Sequence, residues 1–325
     1  MGIPYLNKLV MTKCRRAVSS LSFADLAGKT IAIDMSIYLY QFLCQPEKDL
    51  ITHIQSWIQI FQKHQIDPLF VFDGKPPTEK NACLQRRFQE KEKAYLECQE
   101  IKKKMETLQD TTDDMIRNKL QTSLHAWKKK CIRIRKRDID EVKDLFSKTN
   151  IPFVDAPGEA DAWCSHMVIQ GHVWACLSED MDLFVYGCPR VLRSLNIKDE
   201  KVMIYDLHKI LKCLQVSQKE FREICVLSGT DYTPHLSLMD IFELHKKWIS
   251  SKCNQHWRAK ERDIGFYDWV LKNTNSQYIQ DYSLLIKTVS MFDLSFYHVF
   301  DFSFENFPKL DSWYPTTLLP LSSSS

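Results

Sequence analysis

The chain has 325 residues, of which 44% are hydrophobic and 26% charged, and a formal net charge of +3. That length can bury a sizeable core in one large domain or two, and the composition is that of a soluble globular protein. A charge of +3 is too small to argue for nucleic acid by itself, and no run approaches the ~18 apolar residues of a membrane span. The N-terminus has no signal-peptide core, and Leu6 stands where myristoylation needs Ser or Thr. The eleven cysteines make no Cys-x-x-Cys pair and no zinc spacing. They read as reduced thiols of an intracellular protein, with Cys44, Cys164, Cys176 and Cys225 in the core.

In chain order, Gly28 to Asp34 reads as a turn and then an apolar strand that ends on an acid. Met35 to Leu43 continues as a helix, and Leu50 to Gln65 is a second, amphipathic one. Pro68 to Asp73 repeats the pattern of a hydrophobic strand closed by an acid, and Gly74-Lys75-Pro76-Pro77 turns the chain. From Thr78 to Lys148 there is no Gly or Pro and charge is dense, which predicts long exposed helices. Within it, Met115 to Arg137 holds no acid and ends in the run Lys128, Lys129, Lys130, Arg133, Arg135, Lys136 and Arg137. That run reads either as a solvated helix face or localisation signal, or as a phosphate-binding arm.

Strand signals resume at Ile151 to Ala156. Pro157 to Asp161 opens a helix running to Ile169, with two acids in its first turn where the helix dipole favours them. His172 to Cys176 predicts a buried strand, followed by Glu179-Asp180-Met181-Asp182. Arg190 to Leu195 is a further strand. Helices then cover Asp206 to Leu214, Gln218 to Ser228 and Leu238 to Lys252. Gly229 stands at a C-cap-like place just before Asp231. Strands alternating with helices predict an α/β fold, with a mostly parallel sheet covered on both faces.

Asp34, Asp73, Glu159, Asp161, Asp180, Asp182 and Asp231 all fall at ends of predicted elements, most of them on one inferred edge of the sheet. Any one alone is commonly a cap or a solvated turn residue. Gathered together they repel one another and need compensation. Divalent cations are the simplest source, and oxygen ligands with no His or Cys suit Mg²⁺. Two such ions suggest in-line attack on phosphate.

At these residues the chain resembles the flap endonuclease/XPG family of structure-specific nucleases, over roughly residues 1 to 250. Met1-Gly2-Ile3, Ala32-Ile33-Asp34, Tyr40-Gln41-Phe42-Leu43, Val71 to Pro77, Asp155 to Ala162, Glu179 to Asp182 and Gly229-Thr230-Asp231-Tyr232 carry the likeness. The resemblance implies a PIN-like 5′-nuclease fold and places all seven acids on the family's metal positions, Asp34 and Asp182 among the catalytic ones. Asp161 stands where eukaryotic flap endonucleases carry Glu. It further implies that Lys80 and Arg87 contact the scissile phosphate. Tyr40 would stack on the flanking nucleotide, and Gly2 would be a processed N-terminus against the DNA junction.

The implied organisation is a nuclease core at 1–79 and 149–205, a helical arch insertion at 80–148 and a helical region at 206–260. A C-terminal extension at 261–325 has no assigned role. The family's Gly-Ile-Gly hairpin is missing after Tyr232, as are a sliding-clamp box and a basic tail. This points to a compact, divergent member, a viral one among the alternatives. The expectation is a monomeric nuclease using two Mg²⁺, with Mn²⁺ as substitute, on DNA junctions or 5′ ends in the nucleus or cytoplasm (or a virus factory), with no membrane partner. The alternatives are a catalytically silent scaffold of the same fold and an RNA-processing nuclease.

Overall fold

The computed structural model describes residues 2–45, 49–107, 114–252, 264–274 and 277–294. Seven strands form one sheet: β1 (Val18–Ser22), β2 (Thr30–Asp34), β3 (Asp67–Phe72), β4 (Phe153–Asp155), β5 (Ala175–Leu177), β6 (Arg190–Asn196) and β7 (Lys201–Asp206). Their order is β1-β7-β6-β5-β2-β3-β4. From β6 to β4 every pairing is parallel, and β7 and β1 add antiparallel at one edge. The central strands are buried on both faces, as their unbroken apolar runs require. From β2 the chain passes to β3 on one side and, later, to β5 on the other. The β2–β5 crevice is therefore a topological switch point, where open α/β sheets hold ligands at their carboxyl ends.

On one face lie α2 (Met35–Leu43), α3 (Leu50–Lys63) and α6 (Lys136–Lys148). Their core includes Trp57, Phe61 and Phe146, whose ring stacks on Phe70 of β3 at 4.4 Å. The other face carries α1 (Leu6–Lys13), α7 (Ala160–Ile169), α8 (Asp182–Tyr186), α9 (Leu207–Leu214), α10 (Gln218–Ser228) and α11 (Leu238–Lys252). Helices α12 (Phe266–Asn273) and α13 (Tyr282–Met291) join this second core. Between β3 and α6, α4 (Asn81–Thr107) and α5 (Asp114–Lys130) pack on each other and leave most of α4's surface exposed. Cys98 of α4 and Cys131, just past α5, approach to 3.6 Å between sulfurs.

Several local expectations need correction. The strand expected over 172–176 is only Ala175–Leu177, because Gly171, His172 and Val173 still bond back to Val168 and Met167 at the end of α7. The basic run is not one helix face: α5 ends at Lys130 and α6 begins at Lys136, so it wraps a corner between two helices. Cys44 caps α2 and is half-buried rather than core.

Candidate metal centre

The acids reach one place because their elements do. Asp34 ends β2 and Asp73 follows β3, one strand over. Gly74 then passes so close to the Ala156 carbonyl that a Cβ there would collide with it, and its amide donates to Gly158 at 2.8 Å. That approach sets the start of α7, with Glu159 and Asp161, beside Asp73. Asp180 and Asp182 follow β5 across the switch point. Asp231 arrives from a tight loop after α10. Gly229 there has φ +118°, and a Cβ would meet the His235 Cα at 2.6 Å.

The two carboxylates that stand at N-cap positions are not used up as caps. Asp34 and Glu159 occupy N-cap positions yet make no side-chain cap hydrogen bond. Asp49, Asp206 and Asp281, outside the site, do cap their helices. Asp34 instead accepts from Ser178 Oγ at 2.9 Å, while Asp73 accepts from Ser36 Oγ and from the Ala160 amide at 2.8 Å. Ligand oxygens of Asp161, Asp180 and Asp182 all lie within 4.8 Å of one another.

The electrostatics show what this costs. Burial, then the Asp73 and Asp180 charges, push the Asp34 carboxyl up to about 8. Asp182 lies well above the usual carboxylate range through burial and then Asp180 and Asp231. Asp161 is raised by burial and then Glu159. Asp182 Oδ1 is buried with no hydrogen-bond partner. An orphaned carboxylate oxygen within an all-oxygen donor set fits a hard divalent cation. The acids can hold one.

Part of the compensation comes from the chain itself. Lys80 pairs with Glu159 and lies 3.5 Å from Asp231. Arg87 Nη2 sits 2.7 Å from both Asp231 oxygens. Burial alone would lower the Lys80 ammonium, but Glu159 and Asp161 outweigh it and raise it. Lys80 ends the short turn before α4 and Arg87 lies two turns into that helix. Both point down into the acids. A cavity of about 690 Å³ lies between sheet edge and helix, lined by Asp34, Asp73, Asp161 and Asp180 below and by Lys80, Arg87 and Lys91 above.

Tyr40 lines the same cavity, and its hydroxyl donates to the Lys129 carbonyl at 3.1 Å. Lys128, Lys129, Lys130, Arg133, Arg135, Lys136 and Arg137 are exposed around the corner above, and Arg133 lies 4.5 Å over the Phe88 ring. Gly2 sits against the acids, where a Cβ would come within 2.7 Å of Asp182 Oδ1. Ser36, Ser178 and Tyr232, whose hydroxyl donates to Glu159, carry no role that the sequence predicts. Each adjoins or closely follows an acid, and that adjacency is the available signal.

The fold is that of the PIN-like nucleases, a mostly parallel sheet with a carboxylate cluster at its switch point and a basic helix base above it. Residues 1–94 match the XPG N-terminal domain and residues 150–231 the XPG I-region. A flap endonuclease 1 from Debaryomyces hansenii is 32% identical over 71% of this chain and 62% of its own length. One from Drosophila yakuba is 30% identical over 71% and 60%. In structure, flap endonuclease-1 from Methanococcus jannaschii superposes with TM-score 0.56 at 25% identity, covering 85% of this chain and 81% of that one. The catalytic core of Rad2, solved with DNA substrate, gives TM-score 0.59 at 22% identity, covering 88% and 85%. The chain belongs to the XPG/flap endonuclease family, and it spans about 60% of the length of the curated relatives it matches.

Proposed function

We propose that the protein is a metal-dependent, structure-specific DNA nuclease that hydrolyses phosphodiesters at 5′ flaps or 5′ ends. The observation that carries this reading is a cavity in which buried acids face Lys80 and Arg87. Asp34, Asp73, Glu159, Asp161, Asp180, Asp182 and Asp231 would hold two Mg²⁺, or Mn²⁺ in its place, with Asp161, Asp180 and Asp182 forming the tightest set. When bound, such a pair of ions activates water and steadies the leaving oxygen of an in-line displacement.

The protein's own groups do the rest. Ser178 fixes Asp34, and Ser36 with the α7 amide fixes Asp73, so both carboxylates are oriented before substrate arrives. Lys80 and Arg87 hold Glu159 and Asp231 in the protein alone. With cations held by the acids, the two side chains would be free to turn to the scissile phosphate and stabilise the charge that develops there. Tyr40 offers its ring to the flanking nucleotide. The exposed corner from Lys128 to Arg137 steers single-strand phosphates without reading sequence. In this reading α4 and α5 form the arch, and the protein acts as a monomer where DNA is replicated or repaired, in nucleus or cytoplasm. Among the described residues no helix is long and apolar enough to cross a membrane.

The test is a panel of labelled 5′-flap, nicked, 3′-flap and RNA-flap duplexes in Mg²⁺, with product lengths read on a gel. Release of the 5′ flap whole supports an endonuclease, and single nucleotides from a nick support a 5′ exonuclease. Preference for the RNA flap would move the substrate class to RNA. Intact substrate throughout, with DNA still bound, would leave a silent scaffold.

A further inference from the structure

Helices α12 and α13 take no part in that chemistry, yet they close the back of the metal centre. Phe292, directly after α13, is fully buried. Its ring centroid lies 4.7 Å from that of Tyr186 and 6.1 Å from that of Tyr232, edge-on to the latter at 76°. Tyr232 donates its hydroxyl to one Glu159 oxygen while Lys80 takes the other. Tyr186 ends α8, the helix that begins with Asp182. One side chain near the end of the described chain therefore wedges against both rings that adjoin the acids. The same helix carries Lys287, 2.8 Å from Glu79, the residue before Lys80. α12 is tied to α10 by the Tyr267 hydroxyl, which donates to the Glu223 carbonyl at 2.8 Å. α10 in turn leads into the loop that presents Asp231 and Tyr232.

We propose that Phe292 is a positioning residue of the metal centre: it holds the Tyr232 ring so that the hydroxyl orients Glu159 for a divalent cation. The proposal rests on the reading of the acids as metal ligands. Its physical basis is that a glutamate has three free torsions, and the flexible Lys80 ammonium fixes them poorly. Once Lys80 turns to phosphate, Tyr232 is the Glu159 partner that remains. Without Phe292, the Tyr232 ring would border a void the size of a phenyl group and lose the wall that sets its angle. α12 and α13 would thus belong to the site.

The experiment is Mn²⁺ binding to the full chain without DNA, followed by electron paramagnetic resonance or calorimetry well below the unfolding temperature. Phe292→Ala and Tyr232→Phe should each weaken Mn²⁺ by roughly 10-fold, the usual effect of removing a partner that orients a ligand. The double variant should bind within about threefold of Tyr232→Phe alone, because both changes act through one hydroxyl. Phe292→Leu, which refills the space, should recover most of the affinity. A Phe292→Ala protein that melts earlier yet binds Mn²⁺ as wild type does would overturn the proposal. So would losses that multiply in the double variant. Should Phe292→Ala not fold, Tyr232→Phe decides: unchanged affinity there removes the link through Glu159. A wild-type chain that binds no Mn²⁺ overturns the metal reading itself, a result distinct from either failure.

Discussion

The sheet edge and the base of α4 face each other across one cavity and are built by opposite means. At the sheet edge Asp34, Asp180 and Asp182 are buried, and Asp34 and Asp73 are held by specific donors from other elements. At the base of α4, Lys80 and Arg87 are long, partly exposed and anchored at their tips by the acids below. One side is rigid and carries excess negative charge; the other is adaptable and lends it positive charge. In the proposed function, pre-organisation is thus concentrated where a cation would be gripped, and freedom is left where a phosphate would be met and released.

The largest effect that sharpens this contrast is at Asp182. Asp182→Ala should lower single-turnover cleavage in Mg²⁺ by roughly 10³-fold or more, since removing one electrostatic stabiliser already costs about 10²–10³. Yet the metal-free protein should melt at the same temperature or higher, because a carboxylate burdened by burial and like charge is gone. Lys80→Ala or Arg87→Ala should cost about 10²-fold in rate. Here metal-free stability should fall, by about 1–3 kcal/mol, since Glu159 or Asp231 loses a cationic partner. Opposite signs in metal-free melting on the two sides of the cavity are the signature of the arrangement. The same sign on both sides would break it.

A smaller effect is the pH dependence of stability. Asp34 titrates at about 8 in the folded chain against an ordinary 3.8, so between those values the folded state holds a proton that the unfolded state has released. Stability of the metal-free protein therefore falls as pH rises through that window. A bound cation reverses the penalty, so the rise in melting temperature on adding Mg²⁺ should be larger at about pH 8.5 than at about pH 6. Calorimetric scans at both values check this. The smallest effect is at the exposed corner. Replacing Lys128, Lys129 and Lys130 by Ala should weaken flap binding alike for all sequences. The slope of log affinity against log salt should flatten by about 0.7 for each single-strand phosphate no longer neutralised.

The sheet edge is also the more legible side in sequence. Strands ending on an acid at Asp34 and Asp73, and the Asp180/Asp182 pair past β5, declare themselves because buried parallel strands are unbroken apolar runs. β1 escapes that signal because serines interrupt it, and β7 because its apolar run, Val202 to Tyr205, is short and passes straight into α9. The donors that orient the acids cannot be read from spacing, since Ser178 meets Asp34 across 144 positions of chain. The same is true of Phe292. For α4 and α5, composition predicts helix and charge. It does not predict the direction of Lys80 and Arg87, which point at acids rather than at solvent. The expectation that divalent cations are the simplest source of compensation leaves out these two side chains for that reason.

The most direct test of the central claim is single-turnover cleavage of a labelled 5′-flap duplex in Mg²⁺ by wild type and by Asp182→Ala, with a 3′-flap duplex alongside. The expected result is incision near the 5′-flap junction by wild type, its loss in the variant with DNA binding retained, and an intact 3′ flap. Equal cleavage by both proteins, or none by wild type in Mg²⁺ or Mn²⁺ while the duplex is bound, would contradict it.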